Sequence, residues 1–179
     1  KKHFDNFRDR GELPPELCKD KECENVRLFG TDDKEKELLN LWRNNRKGIQ
    51  LEDAEGNLLR GAVDNILVKG KKLIVLDYKT RGYALKDDTH KHYQDQLDIY
   101  NFLLGENGFE TEDYGYLLFY YPEKVLEGGE VLFETKLIKM KADIKNAKKI
   151  FEDAIGLLNG PCPKTHEADA CEWCYLVKD

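Results

Sequence analysis

Leu73-Ile74-Val75-Leu76 runs without a polar break into Asp77, and this short run limits the chain's fold more than any other feature. A strand with one face in water alternates apolar and polar positions, whereas a strand apolar at every position is covered on both faces. The chain must therefore place layers of structure on both sides of a sheet. Upstream, Leu58 to Val68 is also rich in Leu, Ile and Val and reads as a partner strand, with Lys69-Gly70-Lys71-Lys72 between them free to turn. Pairing Val68 with Leu73 puts Asp64 directly opposite Asp77, with Cβ atoms roughly 4.5–5.5 Å apart. Lys79, two residues beyond Asp77, points to the same face.

Two carboxylates that close repel unless something neutralises them. A hard divalent cation such as Mg²⁺, which takes oxygen ligands and retains several waters, suits the pair, and the lysine can assist an attacking water. The plainer alternative is an Asp64–Lys79 ion pair at a sheet edge, with Asp77 merely ending its strand. A second segment adds to the first reading. In Thr89 to Gly105, residues Tyr93, Gln96, Leu97, Tyr100 and Leu104 recur at helical spacing, Gly105 fits a C-terminal cap, and Gln96 and Tyr100 share a face. An amphipathic core helix flanked by polar Tyr and Gln accounts for the same pattern.

The chain has 179 residues, 36% of them charged, and a mean hydropathy of -0.70. That composition fits one soluble, cytoplasmic domain able to bury a core, with no apolar run of membrane-spanning length and no signal-peptide pattern at the visible start. The net charge of -6 does not announce a nucleic-acid binder. Net charge is a poor veto, because Lys69, Lys71, Lys72, Lys79 and Arg81 gather around the hairpin; a solvated turn is the alternative.

Along the chain come an opening helix, a Pro14-Pro15 break, and a helix near Asp33 to Arg46 burying Leu38, Leu41 and Trp42. The hairpin and the Tyr93 helix follow. Tyr114 to Tyr121 and Val131 to Met140 read as strands separated by a loop holding Pro122 and Gly128-Gly129, and Ile144 to Leu158 makes the last helix. The expected architecture is α/β, a central mixed sheet flanked by helices, in a single domain over 1–179. Its parts are a helical portion at 1–50, a catalytic sheet core at 58–140 and a cysteine-bearing tail at 160–179. Glu35 and Glu37 on the second helix are outside candidates for a cation site, since charged helix residues usually face water.

Gly61-x-x-Asp64, Asp77-Tyr78-Lys79-Thr80 and Gln96-x-x-x-Tyr100, in this order, resemble the PD-(D/E)XK nuclease superfamily and within it the RecB-like branch that includes the cysteine-cluster CRISPR-adaptation nucleases. Each motif is short; their order and spacing make the match specific. The resemblance implies a restriction-endonuclease-like fold and Mg²⁺- or Mn²⁺-dependent hydrolysis of DNA phosphodiester bonds. Such an enzyme would be a single-strand or end-processing exonuclease in repair, recombination or defence, with helicases or other repair or defence proteins as partners. It implies that Asp64, Asp77 and the Tyr78 backbone carbonyl hold the metal. Lys79 would orient the attacking water or stabilise a phosphorane-like transition state, and Gln96 and Tyr100 would position the scissile phosphate. The alternative is a catalytically silent nuclease-fold module that binds nucleic acid or a partner protein. Many relatives add a histidine ligand from an N-terminal helix; here His3 reads as a surface residue, and the opening stretch resembles a helix entered partway through.

The tail carries Cys171-x-x-Cys174, a metal-ligand spacing, with Cys162 and His166 nearby. Five cysteines without a secretory signal argue against a disulfide scaffold. Zn²⁺ could use Cys162, His166, Cys171 and Cys174, whereas an iron–sulfur cluster needs a further thiolate from Cys18, Cys23 or a preceding segment. Both readings, and that of free thiols, stay open.

Overall fold

A computed structural model describes residues 1–19 and 21–161. The chain separates into two compact units, Lys1–Lys148 and Lys149–Asp179. The described part of the second is the remainder of the last helix and the residues directly after it.

The first unit is a five-stranded mixed sheet flanked by helices. Its strands are β1 (Val26–Leu28), β4 (Asn65–Lys69), β5 (Lys72–Thr80), β6 (Tyr114–Val125) and β7 (Val131–Lys141), in that spatial order. β5 and β6 are parallel and every other neighbouring pair is antiparallel. A parallel pair needs a long crossover, and here it contains α4 (Gln94–Glu106), entered through a 3-10 turn at Thr89–Tyr93. β2 (Ile49–Glu52) and β3 (Leu58–Gly61) form a separate two-stranded sheet. The other helices are α1 (Lys2–Arg10), α2 (Pro15–Cys18), α3 (Asp33–Trp42) and α5 (Ile144–Asn159).

β5 is buried on both faces, as its sequence requires, and each face has its own core. Leu73 and Val75 join Ile66, Val68, Leu117 and Phe119 against Leu39 and Trp42 of α3 and Leu97, Tyr100 and Leu103 of α4. Ile74 and Leu76 join Leu67, Tyr116 and Leu118 against Phe4 of α1, Leu17 of α2 and Cys23. Fully burying each such aliphatic side chain is worth about 1.5–3 kcal/mol, so the two cores jointly fix the strand that ends in Asp77.

Several boundaries differ from the sequence expectation. Leu58 to Val68 is not one strand: it breaks after Gly61, its first half pairs with β2, and Ala62 to Asp64 carry the chain across to the main sheet. Gly61 is where the backbone meets α4, since a Cβ there would lie 2.7 Å from Tyr100 Cε1. α3 stops at Trp42 and buries Leu39 (2% exposed) rather than Leu41 (40% exposed). α4 runs through Gly105 to Glu106, so Gly105 is not its cap. Pro122 lies inside β6 at a register shift rather than in a loop, a place where a residue without an N–H is tolerated. The short strands β1 and β2 alternate apolar and polar residues, but over only three and four positions, too few to mark a strand in sequence.

Candidate active site

β4 and β5 pair in the expected register, Val68 with Leu73, and their ladder ends at Asn65 with Leu76. Asp64 stands one residue before the ladder, at a bend, and is drawn to β5 by the Tyr78 N–H, which donates to its Oδ2 at 3.1 Å. Asp77 is the next residue of β5 and is 3% exposed. The two carboxylates are thus side by side at the end of the hairpin, and the Lys1 ammonium lies 3.1 Å from Asp64 Oδ1.

Lys79 shares the face of Asp77, and its ammonium lies 2.5 Å from Asp77 Oδ2. It donates to Gln96 Oε1 at 2.8 Å and lies 4.4 Å from the centre of the Tyr93 ring. The Gln96 amide in turn donates to the Tyr100 hydroxyl at 2.7 Å. The i, i+4 spacing that puts Gln96 and Tyr100 on one helix face therefore builds a polar chain from Asp77 through Lys79 and Gln96 to Tyr100. Tyr78 points to the opposite face, where its ring packs on Phe4 at 4.5 Å and its hydroxyl meets the Asn65 amide.

Burial raises the Asp77 carboxyl above its ordinary value, Lys79 opposes that rise and the charge of Asp64 adds to it. Burial also pushes up the Tyr100 phenol, against the Gln96 hydrogen bond, and the two aspartates add to it. Asp77 Oδ2 is buried, with the Lys79 ammonium as its ion-pair partner at 2.5 Å. A buried carboxylate beside a second carboxylate is a hard, anionic donor set. It fits Mg²⁺ or Mn²⁺, which bind through one or two carboxylates and keep several waters. Among the described residues no group of three or more His, Cys, Asp or Glu side chains is placed to hold a metal.

Other candidates lie elsewhere. His3 is exposed and pairs with Glu16 at 3.0 Å. Glu35 is committed to Arg27 and to the N–H groups of Gly30 and Thr31, and the Arg27 guanidinium foremost holds its carboxyl down to about 2. Glu37 faces solvent. Lys69, Lys71 and Lys72 are at the turn end of the hairpin, five residues along β5 from Asp77, or roughly 17 Å at strand rise, so they do not surround the carboxylates. Arg81 is at the correct end: it hydrogen-bonds the Tyr93 hydroxyl at 3.3 Å and stacks over Tyr83 at 4.6 Å. Cys18 is exposed and donates to the Leu13 carbonyl at 3.3 Å, and Cys23 is packed in the α1–α2 core. Cys162, His166, Cys171 and Cys174 lie outside the described residues.

Sequence reasoning missed Arg43, Arg8, Asp5 and Asn65. The Arg43 Nε donates to the Asp64 carbonyl at 2.9 Å, and Arg8 donates to Asn65 Oδ1 at 2.6 Å. The sequence pattern places Tyr93 in a helical stripe and carries no sign of its contact with the Lys79 ammonium.

Among the described residues no helix is long and apolar enough to cross a membrane. Comparison with curated proteins gives no match. The family model of the PD-(D/E)XK nuclease superfamily matches residues 17–177, a span that holds the hairpin, the Gln96–Tyr100 helix and the whole mixed sheet. With that match over most of its length and a restriction-endonuclease-like sheet beneath its paired aspartates, the chain belongs to the PD-(D/E)XK nuclease superfamily.

Proposed function

We propose that the protein is a metal-dependent nuclease that hydrolyses DNA phosphodiester bonds, an exonuclease of the single-strand or end-processing kind. The observation that carries this reading is the buried Asp77 carboxylate beside Asp64, with a Lys79 ammonium that is ion-paired to Asp77 Oδ2 and tied to Gln96. Family membership supports nuclease chemistry, and nucleases of this superfamily typically use divalent ions such as Mg²⁺.

Asp64, Asp77 and the Tyr78 carbonyl would hold Mg²⁺ or Mn²⁺. When bound, such an ion polarises a phosphoryl oxygen and lowers the pKa of a coordinated water. Lys79 supplies a fixed positive charge where negative charge grows on the phosphoryl group, and it need not reorganise to do so, because Gln96 and the Tyr93 face already hold it. Tyr100 fixes the Gln96 amide and so the aim of the ammonium. Gln96 and Tyr100 line the approach of the scissile phosphate, and burial keeps the Tyr100 phenol protonated and able to donate.

The finer assignment is to the RecB-like branch near the cysteine-cluster CRISPR-adaptation nucleases, supported by the order of the three motifs and by Cys162, Cys171 and Cys174 in the tail. On that reading residues 1–179 work as one nuclease domain in the cytoplasm, beside helicases or other repair or defence proteins. The tail cysteines Cys162, Cys171 and Cys174 take part in holding zinc, with His166, or an iron–sulfur cluster.

The test is cleavage of end-labelled single-stranded DNA, duplex DNA and RNA in Mg²⁺ or Mn²⁺, with and without chelator. The reading expects metal-dependent loss of DNA, with products shortening progressively from an end. Intact substrate under every condition would leave a nuclease-fold binding module in its place.

A further inference from the structure

Asp64 has no place in the sheet ladder to fix it. It sits in the crossover between β3 and β4, where a carboxylate asked to hold a cation needs another source of order. The Tyr78 N–H of β5 meets its carboxylate, and the backbone about it is held from the helical layer. The Val63 N–H donates to the carbonyl of Trp42 at 3.2 Å, the Asp64 carbonyl accepts from Arg43 Nε at 2.9 Å, and Asn65 Oδ1 accepts from Arg8 Nη2 at 2.6 Å.

We propose that Arg43 is the positioning residue of the cation site, holding the Asp64 backbone so that its carboxylate faces Asp77. The inference rests on the nuclease reading and adds a residue that the motifs do not contain. Arg43 follows directly after α3, whose end is anchored by Trp42 stacked on Phe29 with ring centres 5.3 Å apart. Its Nη1 donates to Asp5 Oδ1 at 2.8 Å, and Arg8 pairs with the same oxygen. Arg8 is itself fixed by donation to the Phe29 carbonyl at 2.6 Å. One carboxylate thus ties two guanidiniums, one gripping Asp64 and the other gripping Asn65.

The arrangement is costly. Two like charges share one partner, and the Arg8 guanidinium is pulled below its ordinary value by burial and by Arg43, against the attraction of Asp5. Arg43 Nη2 is buried without a hydrogen-bond partner beside a cavity of about 160 Å³ lined by Asp5, Arg8, Asp9, Lys36 and Leu39. A pair of helices needing only to dock could use apolar contacts at less cost. The planar fork of Arg43 reaches the Asp64 carbonyl and Asp5 at once, which the single ammonium of lysine cannot do with the same geometry.

The test compares the full wild-type chain with Arg43→Lys, Asp5→Asn and Met140→Ala. Met140 is buried on β7, the edge strand two places from β5, and serves as the control for loss of packing away from the clamp. Mn²⁺ affinity is read by the paramagnetic signal of free ion, and thermal melting and single-strand DNA cleavage against Mn²⁺ concentration are followed alongside. Arg43→Lys is expected to weaken Mn²⁺ binding about tenfold or more, the usual cost of losing a group that orients a metal ligand. Its cleavage rate should recover as Mn²⁺ is raised. Met140→Ala should melt lower yet bind Mn²⁺ as the wild type does. If Arg43→Lys does not fold, Asp5→Asn is read in the same way. Wild-type affinity in the folded variant, or a loss of affinity in Met140→Ala that matches it for the same loss of melting temperature, overturns the proposal and leaves the nuclease reading intact. A wild-type chain that neither binds Mn²⁺ nor cuts DNA removes the cation site and both readings together.

Discussion

Asp77 must stay ionised where burial disfavours charge. Its carboxyl is raised above 3.8 by desolvation, with Lys79 opposing and Asp64 adding. A group that holds its proton more tightly folded than unfolded loses stability as pH rises from its unfolded value through its folded one. Asp77→Asn escapes that loss. Differential scanning fluorimetry should therefore find the variant melting no lower than wild type at about pH 8, with the gap closing towards about pH 4; a clearly lower melting temperature at the higher pH would mean that the Lys79 pair outweighs burial. Lys79→Met should lower kcat by about 10²–10³, the usual cost of removing one charge-stabilising donor, at little change in Mn²⁺ affinity. Steady-state kinetics and ion titration separate these two effects. Tyr100→Phe removes the acceptor of the Gln96 amide, at about 1 kcal/mol of stability. The measurable signs are a melting temperature lower by about 2–4 °C and a slower turnover, because Gln96 no longer aims Lys79.

The hairpin was the most legible element, because its register is set locally: two apolar runs joined by a short polar turn leave few ways to pair other than Val68 with Leu73. Where elements depend on distant partners the sequence is silent. Leu58 to Val68 is rich in Leu, Ile and Val like a continuous strand, and only packing against β2 and α4 shows why it breaks after Gly61. A methyl group at that glycine would meet Tyr100 at 2.7 Å and Leu103 at 3.0 Å. Gly61→Ala should cost about 1–3 kcal/mol by overpacking, read by urea denaturation, and should slow cleavage because the displaced ring carries Gln96 with it. The entry to α3 offers a pH-dependent check. Glu35 is lowered from 4.5 to about 2, chiefly by Arg27, with burial opposing and the Gly30 and Thr31 N–H groups assisting. Its stabilisation is complete above 4.5 and is lost as pH falls through about 2. Wild type should out-melt Glu35→Gln at neutral pH, and the difference should vanish on acidification through that window.

Across the molecule, the three motifs come from separate elements, and the hairpin and α4 together bring them to one end of β5. Each motif is short and its order was readable from sequence; the clamp behind Asp64 was not, because Arg43 reaches it across 21 residues and Asp5 across 38, with no spacing rule to signal either. The net charge of -6 likewise carries no sign of the local feature that matters for an anionic substrate, the Lys79 ammonium held against Asp77. Whole-chain stability should report the ion directly: Mn²⁺ at about 100 times its Kd adds about 2.7 kcal/mol to a protein that binds it only when folded, and the gain should be absent in Asp77→Asn. The central claim, that Asp64 and Asp77 hold the ion of a hydrolytic centre, is met most directly by cleavage of end-labelled single-stranded DNA. Wild type and Asp77→Asn are run side by side in Mg²⁺, then with chelator, then with Mg²⁺ restored. The account expects wild type to cut, stop and resume while the variant stays inert throughout; cleavage by Asp77→Asn at the wild-type rate, or wild-type cleavage that survives the chelator, contradicts it.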